Sequence, residues 1–192
     1  MIKLLSNREL AEKLQINLAR WKRWSREFLP PDPLAGKQAG YARQYYLNDA
    51  FTVFLGGYLV AELGFSVPAA REVLSDLEPW LAAKGFRVDA RGKARIPVGI
   101  DASVPDFSAT IFCRGGKVFE YRLKGILSEK SGELDGTPVK KNVYTEEHKA
   151  PKSKGGEVEG FDSEKVLRLS RLFGVFLDRV DPGGQHFVRN GQ

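Results

Sequence analysis

The sequence predicts an α+β fold, and three observations carry that prediction. Up to about residue 85, apolar residues recur at helical spacing between capping residues. Beyond it, β-branched and aromatic residues cluster in short runs around glycine turns. Near the C-terminus, a 3-4-3-4 apolar pattern predicts one more helix.

The elements follow in order. In "LSNRELAEKLQI", Leu10, Ala11 and Leu14 share one helical face, and Ser6 with Glu9 forms a capping-box pattern, so a first helix is expected near 6–14. Asn17 is a good N-cap for a second helix over 17–27, which "PPDP" at 30–33 stops. With only Gln15 and Ile16 between them, the pair reads as a tight helix–turn–helix. "LAGKQAGYARQYY" suits a short hairpin or wing. A third helix is expected over roughly 48–63, capped by Asn48 and stopped by Gly64. Its Gly56 and Gly57 cost helix propensity and predict close packing against a neighbour. Ser66 and Pro68 start a fourth helix in "SVPAAREVLSDLEPWL", and "EPWLAAKGF" interrupts any long helix continuing from it, at Pro79 and Gly85.

In the second half, "KARIPVGI", "FSATIFCR" and "KVFEYRLKGIL" read as strands, the last two joined at Gly115-Gly116. Phe107, Phe112, Phe119, Tyr121 and Phe161 are expected in the core of that sheet. Residues 128–160 are rich in Lys, Glu, Gly and Ser, which predicts a long mobile loop. A final helix is expected over about 163–180, with Val166, Leu169, Phe173, Phe176 and Val180 as its seam. That seam either covers the sheet within one chain or pairs two subunits in a homodimer. The expected domains are 1–80 and 86–180, followed by a flexible tail over 181–192.

Composition bounds the function. The 192 residues are 42% hydrophobic and 28% charged, ordinary for a globular protein. No apolar run approaches the roughly 18 residues of a membrane helix, and the N-terminus turns polar too soon for a signal peptide, so a cytoplasmic protein with no membrane partner is expected. The lone Cys113 precludes an internal disulfide and reads as a buried strand residue; His148 and His186 read as surface residues. Asp101, Asp106 and Asp135 read as turn residues, and neither metal nor cofactor is expected. No set of side chains converges on a catalytic pattern, so an enzyme is the least favoured class.

Charge is unevenly placed. Residues 1–46 hold nine basic and four acidic groups, whereas 47–80 hold one basic and five acidic. The positive block is a candidate polyanion face. Its densest part is "NLARWKRWSREFLPP", where Trp21 and Trp24 stand among Arg20, Lys22, Arg23 and Arg26.

The first 80 residues resemble the DNA-binding domain of the bacterial MerR family of transcription regulators. "SNRELAEKLQINLARWKRW" is similar to the family's helix–turn–helix, with Lys22 and Trp24 where arginine and tyrosine are usual. "FLPP" resembles the closing "GLLPP", with Phe28 in place of glycine. Arg43, Tyr45 and Asp49 keep the Arg-x-Tyr-x-x-x-Asp spacing of the wing and third helix, and "ELGFSVPAAREVL" is similar to the "LGFSLEEI" junction. The long dimerisation helix usual after the fourth helix is not evident.

The resemblance implies sequence-specific binding of double-stranded DNA through a winged helix–turn–helix. Ala19, Lys22, Arg23 and Arg26 fall on one face of the second helix, where a small residue and long cations suit entry into the major groove. Trp21 points the other way, into the core. Arg20 is a further groove or phosphate contact, and Trp24 sits at the boundary, its indole free to reach a phosphate while its ring packs under the wing. Arg43 and Tyr45 would clamp the backbone from the wing, with Arg8 and Lys37 as lesser phosphate contacts. A solvated basic helix face is the alternative for the cations. Lys140, Lys141 and "KAPKSKGG" add charge that reads as solvated loop. An unidentified small-molecule effector is the minor reading of the second half. Competing readings of the whole chain are an excisionase-like or phage/plasmid architectural DNA-binding protein, and a protein-interaction module that binds no DNA.

Overall fold

The computed structural model describes residues 4–32, 42–87, 107–150 and 160–182, with backbone alone at 126–131 and 139–143. The architecture is α+β. It divides into a helical unit, Met1–Val98 with Leu172–Gln192, and a sheet unit, Gly99–Arg171. In this division residues 172–182 group with the helical unit.

The helical unit opens with strand β1 (Leu5–Ser6) and helix α1 (Asn7–Leu14). The capping box forms as expected: the Ser6 backbone N–H donates to the Glu9 carboxylate at 2.7 Å, and the Glu9 N–H donates to Ser6 Oγ at 3.3 Å. Gln15 takes the left-handed conformation (φ 57°) that turns the chain. Asn17 then caps helix α2 (Leu18–Phe28), accepting from the N–H groups of Ala19 and Arg20. Strand β2 (Gln44–Tyr45) pairs antiparallel with β1, joining Leu5 to Tyr45 and Ser6 to Gln44.

Helix α3 (Leu47–Ala61) starts a residue earlier than the sequence predicts. Its cap position is Tyr46, which supplies no side-chain hydrogen bond, and not Asn48. Burial fixes this helix instead, for eight of its residues are buried. Gly56 and Gly57 allow the close approach expected of them: a Cβ at Gly57 would stand 2.2 Å from the Trp24 ring, and one at Gly56 2.6 Å from the Phe28 ring.

Helix α4 (Val67–Ala83) is capped by Ser66, as expected. It contains Pro79 and continues past it to Ala83. Proline forfeits one helical bond, but Leu77, Trp80 and Leu81 around it are buried and hold the helix in register. The stop comes at Gly85, with φ at 85°.

Strand β3 (Ser108–Arg114) begins the sheet unit. It pairs antiparallel with β4 (Val118–Leu134), which pairs with β5 (Thr137–Lys149). Strand β6 (Ser163–Arg168) pairs with the other edge of β3, giving the order β5-β4-β3-β6. Gly115 and Gly116, both at positive φ, make the expected hairpin. The long loop expected from 128 to 160 is largely the β4–β5 hairpin, turned by Asp135 (φ 50°) and Gly136 (φ 77°). Backbone pairing holds these strands, so they need few apolar side chains. Cys113 is buried in β3, where desolvation pushes its thiol pKa up.

Phe107, Phe119 and Tyr121 are buried as expected. Phe112 and Phe161 are not in that core: strand alternation puts Phe112 on the opposite face from Ile111 and Cys113, and Phe161, 43% exposed, lies against it.

The predicted final helix is split. Residues 163–168 form β6, because the open edge of β3 satisfies their backbone groups, and helix α5 covers Leu169–Val180. The five-residue seam is corrected accordingly. Val166 lies on β6, 48% exposed, while Leu169, Phe173, Phe176 and Val180 are fully buried within this one chain and are not free to pair with a second subunit. In the helical unit, Phe173 and Phe176 pack on Phe51 of α3 at 4.6 and 5.3 Å between ring centres, and Arg179 donates to the Leu14 carbonyl at 3.2 Å. The expected strand at 93–100, Lys37, Asp101, Asp106, His186 and tail residues 183–192 lie outside the described residues.

Candidate nucleic-acid interface

Helix α2 has two chemically different sides because its apolar residues recur at 21, 24 and 28. Trp21, Trp24 and Ser25 are buried; Ala19, Arg20, Lys22, Arg23 and Arg26 are all exposed. At 100° per residue, Ala19, Lys22, Arg23 and Arg26 occupy the outward arc, and Arg20 flanks it. These four cations have no carboxylate partner among the described residues. The one acid of the helix, Glu27, is engaged by Arg71 of α4, which donates to its carbonyl at 2.7 Å and to its carboxylate at 2.5 Å. That pairing leaves the α2 surface cationic.

Tyr45 sets the edge of this surface from within. Its ring meets Trp21 edge-on at 5.8 Å. Its hydroxyl donates to Asn7 Oδ1 at 2.6 Å and accepts from Ser25 Oγ at 2.7 Å. Burial raises the phenol pKa, offset in part by the Ser25 bond and the nearby Arg43 charge. Arg43 stands 5.6 Å over the Tyr45 ring. The result is a groove of about 510 Å³ whose lining includes Asn7, Lys22, Arg26, Arg43 and Tyr45; Asp32 adds a carboxylate.

The structure therefore brings together Lys22, Arg26 and Arg43, with Arg23 and Ala19 on the adjoining exposed stripe. Arg8 is exposed on α1. Two expected contacts are corrected. Tyr45 is 1% exposed and its hydroxyl is spent inside, so it cannot clamp a backbone. Trp24 is 8% exposed, and its ring packs on Gly57 of α3; the tip of the expected wing lies outside the described residues. Both are core residues that position the cations. Asn7, Ser25 and the Arg71–Glu27 pair were missed. Ser25 carried a signal, a polar residue on the inward arc of an amphipathic helix; the others are long-range partners with none.

Among the described residues no cluster of His, Cys, Asp or Glu could hold a metal ion, and no helix is long and apolar enough to cross a membrane. Comparison with protein-family models, curated proteins and solved structures finds no match.

Proposed function

We propose that the helical unit binds double-stranded DNA, with α2 as the reading helix of a helix–turn–helix, in a transcription regulator of the kind the first 80 residues resemble. One observation carries the reading: Lys22 and Arg26 of α2 share a groove with Arg43, beside an outward stripe of Ala19 and Arg23. Phosphates need several cations that reach them together, and base edges need donors on a helix that can approach closely. Arg23 is assigned to base edges; Lys22, Arg26 and Arg43 to phosphates, with Arg20 and Arg8 at the margins.

Selection of bound fragments from random and genomic DNA tests this. An enriched sequence motif is expected. In binding assays, Arg23→Ala should weaken the selected site by about 1–3 kcal/mol and random duplex by less. An equal loss on both would reassign Arg23 to phosphate.

A second reading is favoured by α5. Its apolar face is consumed within the chain, which suits a monomeric architectural protein that bends or coats DNA. Monomeric mass in light scattering with DNA bending and no enriched motif would select this reading; a dimer on a near-palindromic site would select the regulator.

A further inference from the structure

The four-stranded sheet has a second face that the duplex reading does not use. Ala109, Ile111, Cys113, Phe119, Tyr121 and Leu123 are buried on one side. The alternate residues stand on the other, where rings and cations interleave. Arg122 lies 5.4 Å over Phe112, Phe112 meets Phe161 at 5.0 Å between ring centres, and Arg114 lies 5.1 Å over Phe161. Lys124 lies 4.3 Å over Tyr144. Tyr144, Phe161 and Val166, which register places beside Thr110, are three of the six exposed large apolar side chains among the described residues. Arg114 reaches Glu120 at 3.4 Å, while its buried Nε has no hydrogen-bond partner.

The charge on this face is mixed. Arg114, Arg122, Lys124 and Arg168 stand with Glu120, Glu146 and Glu164 by strand register. A duplex would find too few uncompensated cations there. A single strand is different, because its unstacked bases can lie on rings and guanidinium planes. A deoxyribose strand offers these carboxylates only base N–H donors beside its repelling phosphates. A ribose strand brings a hydroxyl donor at every sugar, which a glutamate can accept.

We propose that this exposed sheet face binds single-stranded RNA. Phe112, Phe161 and Tyr144 stack bases, Arg122 and Lys124 meet phosphates, and Glu146 and Glu164 accept from ribose hydroxyls. The proposal does not depend on duplex binding by the helical unit.

Fluorescence anisotropy with the full chain tests it, using labelled oligouridylate of about twelve nucleotides and the matching oligodeoxyuridylate. The ribose strand should bind, and more tightly than the deoxyribose strand. Phe161→Ala and Tyr144→Ala, both at exposed positions, should each weaken it by roughly five- to a hundredfold. Arg23→Ala in α2 should leave it unchanged, and a duplex probe in parallel reports separately on the helical unit. Three results would each overturn the proposal: no binding of oligouridylate, equal binding of the two strands, or affinity that survives both aromatic substitutions. Loss on Arg23→Ala with no loss on Phe161→Ala would overturn it too, since the strand would then sit on α2.

Discussion

Gly57 decides how near α2 comes to α3. A methyl group there would stand 2.2 Å from Trp24, far inside van der Waals contact. Gly57→Ala must displace the indole, and should cost about 1–3 kcal/mol in urea denaturation. An unchanged midpoint would mean that the ring has room to move. Tyr45 acts through its hydroxyl. Tyr45→Phe leaves Asn7 and Ser25 without that partner and should destabilise by about 1–3 kcal/mol near neutral pH. The phenol pKa is raised above its ordinary 10.0 in the folded state, so the folded chain keeps this proton to higher pH than the unfolded one. Its stability contribution is full below the ordinary value and is lost as pH rises through the folded value. Wild type should lose stability above about pH 10 more steeply than Tyr45→Phe, narrowing the gap between them. Parallel melting curves across that range would show that Tyr45 does not titrate differently in the two states. Both residues were visible in the sequence, Gly57 as a costly helix glycine and Tyr45 as part of a motif. Only the partners of each reveal what it does.

The β4–β5 hairpin was the element most obscured by composition. Its Lys, Glu, Gly and Ser content reads as solvated loop, and its pairing is a backbone property that side-chain polarity hides. Asp135-Gly136 was the available signal, since both residues adopt positive φ at the turn. Gly136→Ala, at φ 77°, should cost roughly 1–2 kcal/mol in hairpin stability, seen as faster amide exchange along β4 and β5. Unchanged exchange would place the stability of the hairpin away from its turn. The boundary between β6 and α5 was illegible for another reason. Val166, Leu169, Phe173 and Phe176 continue a plausible helical spacing across it, and only the open edge of β3 draws 163–168 into a strand. The caps at Ser6, Asn17 and Ser66 were legible because capping involves residues two or three apart.

Across the whole molecule, the net charge of +6 says little until the helical unit gathers its share on one surface. With about five of those cations on phosphates, the log–log plot of duplex affinity against salt should have a slope near −4 to −5. Replacing both Lys22 and Arg26 by alanine should reduce its magnitude by about 2. A flat plot would remove the phosphate contacts from the proposal. Oligouridylate binding, carried mainly by stacking, should show a shallower slope than the duplex. That contrast separates the two surfaces in one titration series.

By itself the sequence determined the local features: the capped starts of α1, α2 and α4, the Gly115-Gly116 hairpin, the inward side of Trp21 and the outward cations of α2. Each depends on residues a few positions apart, so periodicity and turn chemistry suffice. Tertiary structure alone decided that Trp24 and Tyr45 are core, that 163–168 is a strand, and that the α5 seam is spent within the chain. Each of those depends on a partner tens of residues away, such as Gly57, Asn7, β3 or Phe51, whose surface or hydrogen bonds no local pattern encodes.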